Sequence, residues 1–230
     1  MKKKIQHSRA GWNRQLLLAA TLLLANSAVL AQDIQFSQFF EAPIMRNPSL
    51  AGIFNGDIRM QGLYRSQWGN VTVPYRTGIF NLEYKKPIGN GNDFITAGLH
   101  ALYDRSGSAD FTTTQLMPVL NYHKAISGSR NRYLSLGFMA GWVQHHIDMS
   151  KVTTDNQYGP DGYNPLLGHG ETFIKPNISY LDASAGISYN SDIGDGEAGN
   201  YFIGVAYHHF NRPKNSFYKN PEAELYPRWV

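Results

Sequence analysis

The chain of 230 residues carries 21 Lys and Arg against 17 Asp and Glu, which gives a formal net charge of +4, and it contains no cysteine. Five of the basic residues and none of the acidic ones lie in residues 1–31, so the remainder is nearly neutral and gives no argument for a nucleic-acid partner. The missing cysteine excludes disulfides and a lipid-anchoring thiol, and no apolar run is long enough for a helical membrane span.

Residues 1–31 have the three parts of a secretory signal peptide. "MKKKIQHSRAGWNR" is a basic start, "QLLLAATLLLA" is an apolar core, and "NSAVLA" places Val29 and Ala31 at the −3 and −1 positions of a cleavage site. The alternatives are a membrane anchor or a buried core helix, which the shortness of the apolar core disfavours. We therefore predict cleavage after Ala31 and an exported protein.

Residues 32–56 show no sustained period, and Pro43 and Pro48 interrupt any helix there. We expect an irregular N-terminal segment, which in a barrel could act as a plug of the lumen.

Residues 57–230 are predicted to form the strands. Seven runs of alternating apolar and polar residues lie near positions 57–68, 77–86, 94–104, 111–123, 132–147, 179–190 and 200–210. The connections "PIGNGND", "DRSGSAD", "ISGSRN" and "SDIGDGEAGN" are rich in the residues of hairpin turns. The pattern predicts an all-β, antiparallel up-and-down sheet. The longer connection over 148–177 has no strand pattern and is expected on the extracellular side.

Alternation separates the two faces of each run without saying which face is inside. In the first run, Arg59, Gln61, Arg65 and Gln67 lie opposite Tyr64 and Trp68. The runs reach ten residues, their apolar faces tend to finish in Tyr or Trp, and their polar faces are often small and uncharged. These features favour an outer-membrane β-barrel with its apolar face in lipid. A secreted β-sandwich with the apolar face inside remains an alternative.

No motif points to catalysis, to a cofactor or to a metal. His145-His146 and His208-His209 are adjacent in strands, so the members of each pair point to opposite faces and cannot chelate one ion. The acidic residues of "NSDIGDGEAGN" lack the register of an EF-hand. We predict a protein that is not an enzyme, with no catalytic, cofactor-binding or metal-ligating residues.

Several stretches in order resemble the PorP/SprF family of type IX secretion system outer-membrane proteins: "IQFSQFFEAPIMRNPSLAG", "YRSQW", "TDNQYGPDGYNP" and "YLDASAGISYNS". The resemblance implies an outer-membrane barrel that works with the type IX secretion and gliding-motility machinery of Bacteroidota. It implies other components of that system, exported protein cargo and outer-membrane lipid as partners. The residues that match family motifs, expected to be structural or to face a partner, are Asn47, Pro48, Arg65, Gln67, Trp68 and Pro74.

The resemblance also predicts further strands beyond "YPRWV", where this chain stops. Seven antiparallel strands cannot close a regular barrel, because the seventh runs parallel to the first. We therefore expect a truncated chain and an open half-barrel of about seven strands, with residues 57–68 at one free edge and 201–210 at or next to the other. Such a chain alone is not expected to insert stably unless a second fragment or copy closes it, because its open edges would leave backbone groups unpaired in lipid.

The sequence is compatible with three functions. The favoured one is a barrel subunit of the type IX apparatus that supports export or surface attachment of secreted proteins. The others are an outer-membrane transport barrel for a small solute, with residues 32–56 as a plug of the lumen, and a secreted β-sandwich adhesin.

Overall fold

The structure is a computed structural model of the chain. It describes residue 36 and residues 39–89, 91–127, 132–168, 170, 175–193, 199–218, 220 and 222–230. The predicted signal peptide and its cleavage site therefore lie outside the described residues.

Strands dominate the described residues, because the alternating runs are rich in aromatic and β-branched residues and are separated by turn-forming sequences. The strands are β1 (Ile58–Gln67), β2 (Tyr75–Pro87), β3 (Phe94–Ser106), β4 (Phe111–Ala125), β5 (Arg132–His146), β6 (Tyr158–Gly159), β7 (Gly162–Tyr163), β8 (Asn177–Asp192), β9 (Asn200–His208) and β10 (Arg228–Trp229).

Helical structure in the described residues is limited to single turns. They are the α-helical turn α1 (Pro43–Arg46) and the 3-10 turns Phe39–Glu41, Pro48–Leu50, Met149–Lys151 and Asp155–Gln157. In this part of the chain, no helix has the length and apolar character needed to cross a membrane.

One antiparallel sheet of eight strands has the order β1-β2-β3-β4-β5-β8-β9-β10, so each long strand pairs with its neighbours in sequence. β1 and β10 are the edges and do not pair with each other, so the sheet is not closed. The prediction of an open, up-and-down antiparallel sheet is confirmed, with β1 at one edge and β9 next to the other. Seven long strands match the seven predicted runs, and the two-residue β10 is the eighth strand of the sheet.

The two faces of the sheet have the polarity of a membrane barrel. Apolar side chains of one face are exposed, and they include Tyr64, Phe80, Leu82, Tyr103, Leu120, Leu136, Phe138, Trp142, Leu181 and Ile187. Polar side chains of the other face are buried, and they include Thr77, Asn81, Glu83, Thr96, His100, Asn121, His123, Ser135, Ser184, Ser188 and His208. We call these two faces the apolar face and the polar face. A soluble sandwich would bury the apolar face instead.

The polar face is buried because residues 41–54, which we call the inner segment, pack against it. A small apolar cluster joins Ile44 and Ala51 of this segment to Met117, Val119 and Met139 of the sheet. Hydrogen bonds, described below, supply the rest of the contact.

The inner segment limits which residues can replace Gly137. A water-filled interior would make a substitution such as Gly137→Arg mild in its effect. A Cβ atom added at Gly137 would instead lie 2.4 Å from the carbonyl carbon of Pro48, so this point of the polar face is filled by chain.

The long connection between β5 and β8 carries a small hairpin that the sequence pattern did not predict. Its strands β6 and β7 pair Tyr158 with Tyr163 and Gly159 with Gly162. A capping box formed by Thr154 and Gln157 fixes the 3-10 turn that precedes the hairpin. Because the strands are antiparallel, this connection lies at the same end of the sheet as the β1–β2 and β3–β4 turns.

Candidate functional site: the polar face and the inner segment

Two prolines and an asparagine give the inner segment its irregular path. Pro43 opens the helical turn α1, and the N–H of Asn47 closes it by donating to the Pro43 carbonyl at 2.9 Å. Asn47 then caps the next turn, since its Oδ1 accepts from the Ser49 N–H at 2.9 Å and from the Ser49 hydroxyl at 2.7 Å. Gly52 follows with φ +87°, a left-handed conformation that favours glycine. A chain that turns this often cannot pair all its carbonyls with its own backbone.

Side chains of the polar face supply the missing donors. Each of these side chains donates a hydrogen bond to a carbonyl oxygen of the inner segment. The donors and the residues whose carbonyls accept are Gln61 and Glu41 (2.6 Å), His208 and Arg46 (3.1 Å), Asn121 and both Ser49 and Ala51 (2.6 and 2.8 Å), Ser188 and Ser49 (3.3 Å), His123 and Ala51 (2.7 Å), and Lys85 and Phe54 (2.7 Å). These donors lie on β1, β2, β4, β8 and β9. The contact therefore draws on strands from both halves of the sheet.

A buried ion pair completes the contact at the β1–β2 edge. Glu83 is fully buried, accepts the Gly52 N–H at 2.7 Å, and lies 2.5 Å from the Arg59 guanidinium. Arg59 and Lys85 both lie 4.9 Å from the centroid of the Phe54 ring. The ion pair follows from the strand register, because Arg59 and Glu83 are directly opposite each other on β1 and β2.

The two histidines that bind the inner segment share one arrangement. The carbonyl oxygens they contact can only accept, so Nε2 of His123 and of His208 carries the proton. Nδ1 of each ring therefore accepts a hydrogen bond, from the Ser135 hydroxyl at 2.6 Å and from the Ser184 hydroxyl at 3.1 Å. Each serine thus holds its histidine in the tautomer that donates to the inner segment.

Three glycines leave room for the turn at Asn47 and Pro48; we call Gly137, Gly186 and Gly204 the glycine groove. An added Cβ would lie 2.4 Å from the Pro48 carbonyl carbon at Gly137 and 2.0 Å from the Asn47 Oδ1 at Gly186. At Gly204 it would lie 3.0 Å from the Asn47 Nδ2. Gly137 and Gly186 are directly opposite each other on β5 and β8, so the groove crosses adjacent strands.

Three of the residues singled out by family motifs lie on or near the polar face. Asn47 and Pro48 are buried in the glycine groove, and the Asn47 Nδ2 lies 3.4 Å from the Ile187 carbonyl oxygen. Arg65, on β1, donates to the Thr77 hydroxyl at 3.1 Å, and Thr77 in turn donates to Asp104.

The other three lie at the end of β1 and in the β1–β2 turn. Gln67 is the last residue of β1, and Trp68 follows it with φ +62° and a side chain that is 64 % exposed. Pro74 is half-buried beside Gly69, directly before β2. The structure therefore does not bring the six motif residues together in one site.

Sequence reasoning missed most residues of the contact, although it placed several of them on the polar face. The residues whose contact with the inner segment was missed are Gln61, Asn121, His123, Gly186, Ser188, Gly204 and His208. Alternation identifies such positions as facing inward. Nothing in it identifies residues 41–54 as their partner.

The histidine pairs do not form a common site. The expectation that His208 and His209 point to opposite faces is wrong, because His209 follows the end of β9 with φ +55°. His209 contacts Asp182 at 2.8 Å, and His208 contacts Ser184 on the same face of β8 as well as the inner segment. Among the residues that the structure describes, no group of three His, Cys, Asp or Glu is placed to hold a metal ion.

A cavity of about 410 Å³ lies beside the end of the inner segment, where β2 ends and β9 begins. Its lining mixes charged, amide and aromatic side chains, namely Phe54, Asn55, Lys85, Phe94, His123, Tyr133, Asn190, Asp192, Asn200 and Phe202, with Gly52 and Ile53. The inner segment forms one wall, so its position determines the size of the cavity.

Ion pairs fix the long connection to the β3–β4 turn at the opposite end. Asp110 contacts Lys151, and it lies 2.5 Å from Arg105. The Lys151 and Arg105 hydrogen bonds lower the pKa of Asp110, and the Asp110 bond raises the pKa of Lys151. At the other end, hydrogen bonds from Lys124, Tyr122 and the Ala125 N–H lower the pKa of Asp93 to about 2.

An open antiparallel sheet with an exposed apolar face and a polar face filled by irregular chain defines a protein of the membrane β-barrel class, here with an incomplete barrel. A family model described as type IX secretion system membrane protein PorP/SprF matches residues 28–228. The chain belongs to this family. It is therefore a membrane component of the type IX secretion system. Comparison with curated proteins and with solved structures gave no match.

Proposed function

We propose that this protein is a non-enzymatic outer-membrane component of the type IX secretion and gliding-motility apparatus, where it supports export or surface attachment of secreted proteins. Membership of the PorP/SprF family supports a role in type IX secretion. The exposed apolar face supports a location of the strands in lipid. Residues 1–31 act as its signal peptide, cleaved after Ala31. Its partners are other type IX components, exported proteins and outer-membrane lipid.

The observation that carries this proposal is the occupation of the polar face by residues 41–54. A barrel that transports a small solute needs a continuous pathway along this face. Here the donors of five strands are engaged by the inner segment instead. We assign residues 32–56 as a plug of the lumen, which a secretion subunit can retain without loss of function.

The family-motif residues divide into two roles on this proposal. Asn47, Pro48 and Arg65 are structural, because each contacts the polar face or lies within it. Gln67, Trp68 and Pro74 face a partner protein, since they lie in or beside an exposed turn at the end that carries the long connection.

The test is deletion of the gene in its host, with secretion of type IX substrates and surface adhesins measured in culture medium and on whole cells. We expect both to fall and to recover on complementation, with the protein recovered in the outer-membrane fraction. A complementing variant with Trp68→Ala should restore membrane insertion but not full secretion. Undiminished secretion in the deletion strain would refute the proposal.

A further inference from the structure

The contact between the sheet and the inner segment is made mainly to the main chain. Five carbonyls, those of Glu41, Arg46, Ser49, Ala51 and Phe54, accept hydrogen bonds from side chains of the polar face. One main-chain N–H, that of Gly52, donates to Glu83. A surface that binds carbonyls and N–H groups places few demands on the side chains of its occupant.

We propose that the polar face is a binding site for irregular polypeptide, and that residues 41–54 are its intramolecular occupant, which a segment of an exported protein displaces. The identification of the incoming segment with an exported protein rests on the proposed function. The binding site itself rests on the contacts of the described residues.

The spacing of the donors selects a polypeptide over a small solute. The bound carbonyls recur along the inner segment at residues 46, 49, 51 and 54, and their donors lie on four strands. A ligand without carbonyls at such intervals would leave buried amide and imidazole donors unpaired, which is unfavourable for each donor. A second peptide segment replaces the lost bonds with equivalent ones.

The glycine groove adds one element of sequence preference. It accepts a turn in which an asparagine precedes a proline, because Gly137, Gly186 and Gly204 carry no Cβ at the points where Asn47 and Pro48 approach. The Asn47 side chain fills the groove and reaches the Ile187 carbonyl at 3.4 Å. We therefore expect incoming segments with a small or amide residue followed by proline to bind best.

Exchange is favoured over simple release of the inner segment. Departure into water would expose the buried Glu83 and strip five carbonyls of their donors at once. Replacement by another polypeptide keeps most of these bonds, so displacement of the inner segment by a second segment costs less free energy than its release into water. The apolar part of the contact is small, with only Ile44 and Ala51 of the inner segment in the apolar cluster.

The test uses the full chain in detergent micelles, which hydrate the open edges of the sheet. Because the chain contains no cysteine, an introduced thiol is the only one present. Ser49→Cys introduces a single thiol at a fully buried position, so a maleimide reagent reports displacement of the inner segment. A synthetic peptide with the sequence of residues 41–54, "EAPIMRNPSLAGIF", is the competitor. Controls are a scrambled peptide and one with Ala-Ala in place of Asn-Pro. A thiol introduced by Ser66→Cys, an exposed position on β1, controls for reagent access.

We expect the native peptide to raise the labelling rate at Ser49→Cys at least tenfold, the Ala-Ala peptide to do so less, and the scrambled peptide not at all. Trypsin cleavage after Arg46 in the unmodified chain should follow the same order, and it decides the question if Ser49→Cys does not fold. The proposal of a binding site is wrong if no peptide changes labelling or cleavage. It is also wrong if the native and scrambled peptides change them equally. Peptide exchange in a protein whose deletion leaves secretion intact would overturn only the link to exported proteins.

Discussion

Replacement of Gly137 by alanine tests the packing of the inner segment with a single methyl group. The added Cβ would lie 2.4 Å from the Pro48 carbonyl carbon and from the Ser49 nitrogen, whereas ordinary contacts begin at 3.4 Å. Both neighbours are backbone atoms, so no flexible side chain can move aside. The inner segment must retreat by about 1 Å, an overpacking that costs about 1–3 kcal/mol.

The retreat also weakens the bonds to the same turn. The Asn121 Nδ2 to Ser49 carbonyl distance of 2.6 Å would stretch to about 3.6 Å, which is no longer a hydrogen bond. One weakened buried bond adds about 1 kcal/mol to the overpacking. We therefore expect Gly137→Ala to lower the free energy of unfolding by about 2–4 kcal/mol.

Urea unfolding of the chain in detergent micelles, followed by tryptophan fluorescence, measures this difference. Gly78→Ala is the matched control, because it lies on the apolar face of β2 and its added Cβ would meet only the Tyr103 carbonyl oxygen at 3.9 Å. We expect this control to be neutral or slightly stabilising, since alanine restricts the unfolded chain. Equal stability of the two variants, within about 0.5 kcal/mol, would refute the packing described here.

Three further predictions concern the apolar face, the buried ion pair and a turn. Phe138 is on the apolar face, so Phe138→Arg should lower the stability of the protein folded in bilayers by about 2–4 kcal/mol, whereas Phe138→Leu should not. Equal effects of the two substitutions would contradict the assignment of the faces. Glu83→Gln should lower the free energy of unfolding by about 2–3 kcal/mol in urea titrations, because it leaves Arg59 without its counter-ion. An unchanged free energy of unfolding would show that the ion pair is dispensable. The Asp93 contribution to stability should be present above about pH 4 and disappear as the pH falls to about 2, since its pKa is lowered to about 2. Asp93→Asn should lack this pH-dependent component, and an identical pH profile would exclude the role of the Asp93 hydrogen bonds.

Alternation in the sequence predicted most of the fold, because it is a local property. Successive residues of a strand point to opposite faces, so Phe80 and Leu82 had to share one face and Asn81 and Glu83 the other. The hairpin connections fixed the up-and-down order, since short turns can only join antiparallel neighbours. The hairpin at Tyr158–Tyr163 was missed, because two-residue strands carry no period to detect.

The sequence by itself determined which side chains share the polar face, and it predicted an irregular segment over residues 32–56. Only the tertiary structure decided that the inner segment covers that face, and that Asn47 and Pro48 fit the glycine groove. Asn47 and Ile187 are 140 residues apart in the chain, and no local pattern links positions so distant. Their contact depends on the pairing of β5, β8 and β9 as adjacent strands, which places Gly137, Gly186 and Gly204 around one turn of the inner segment.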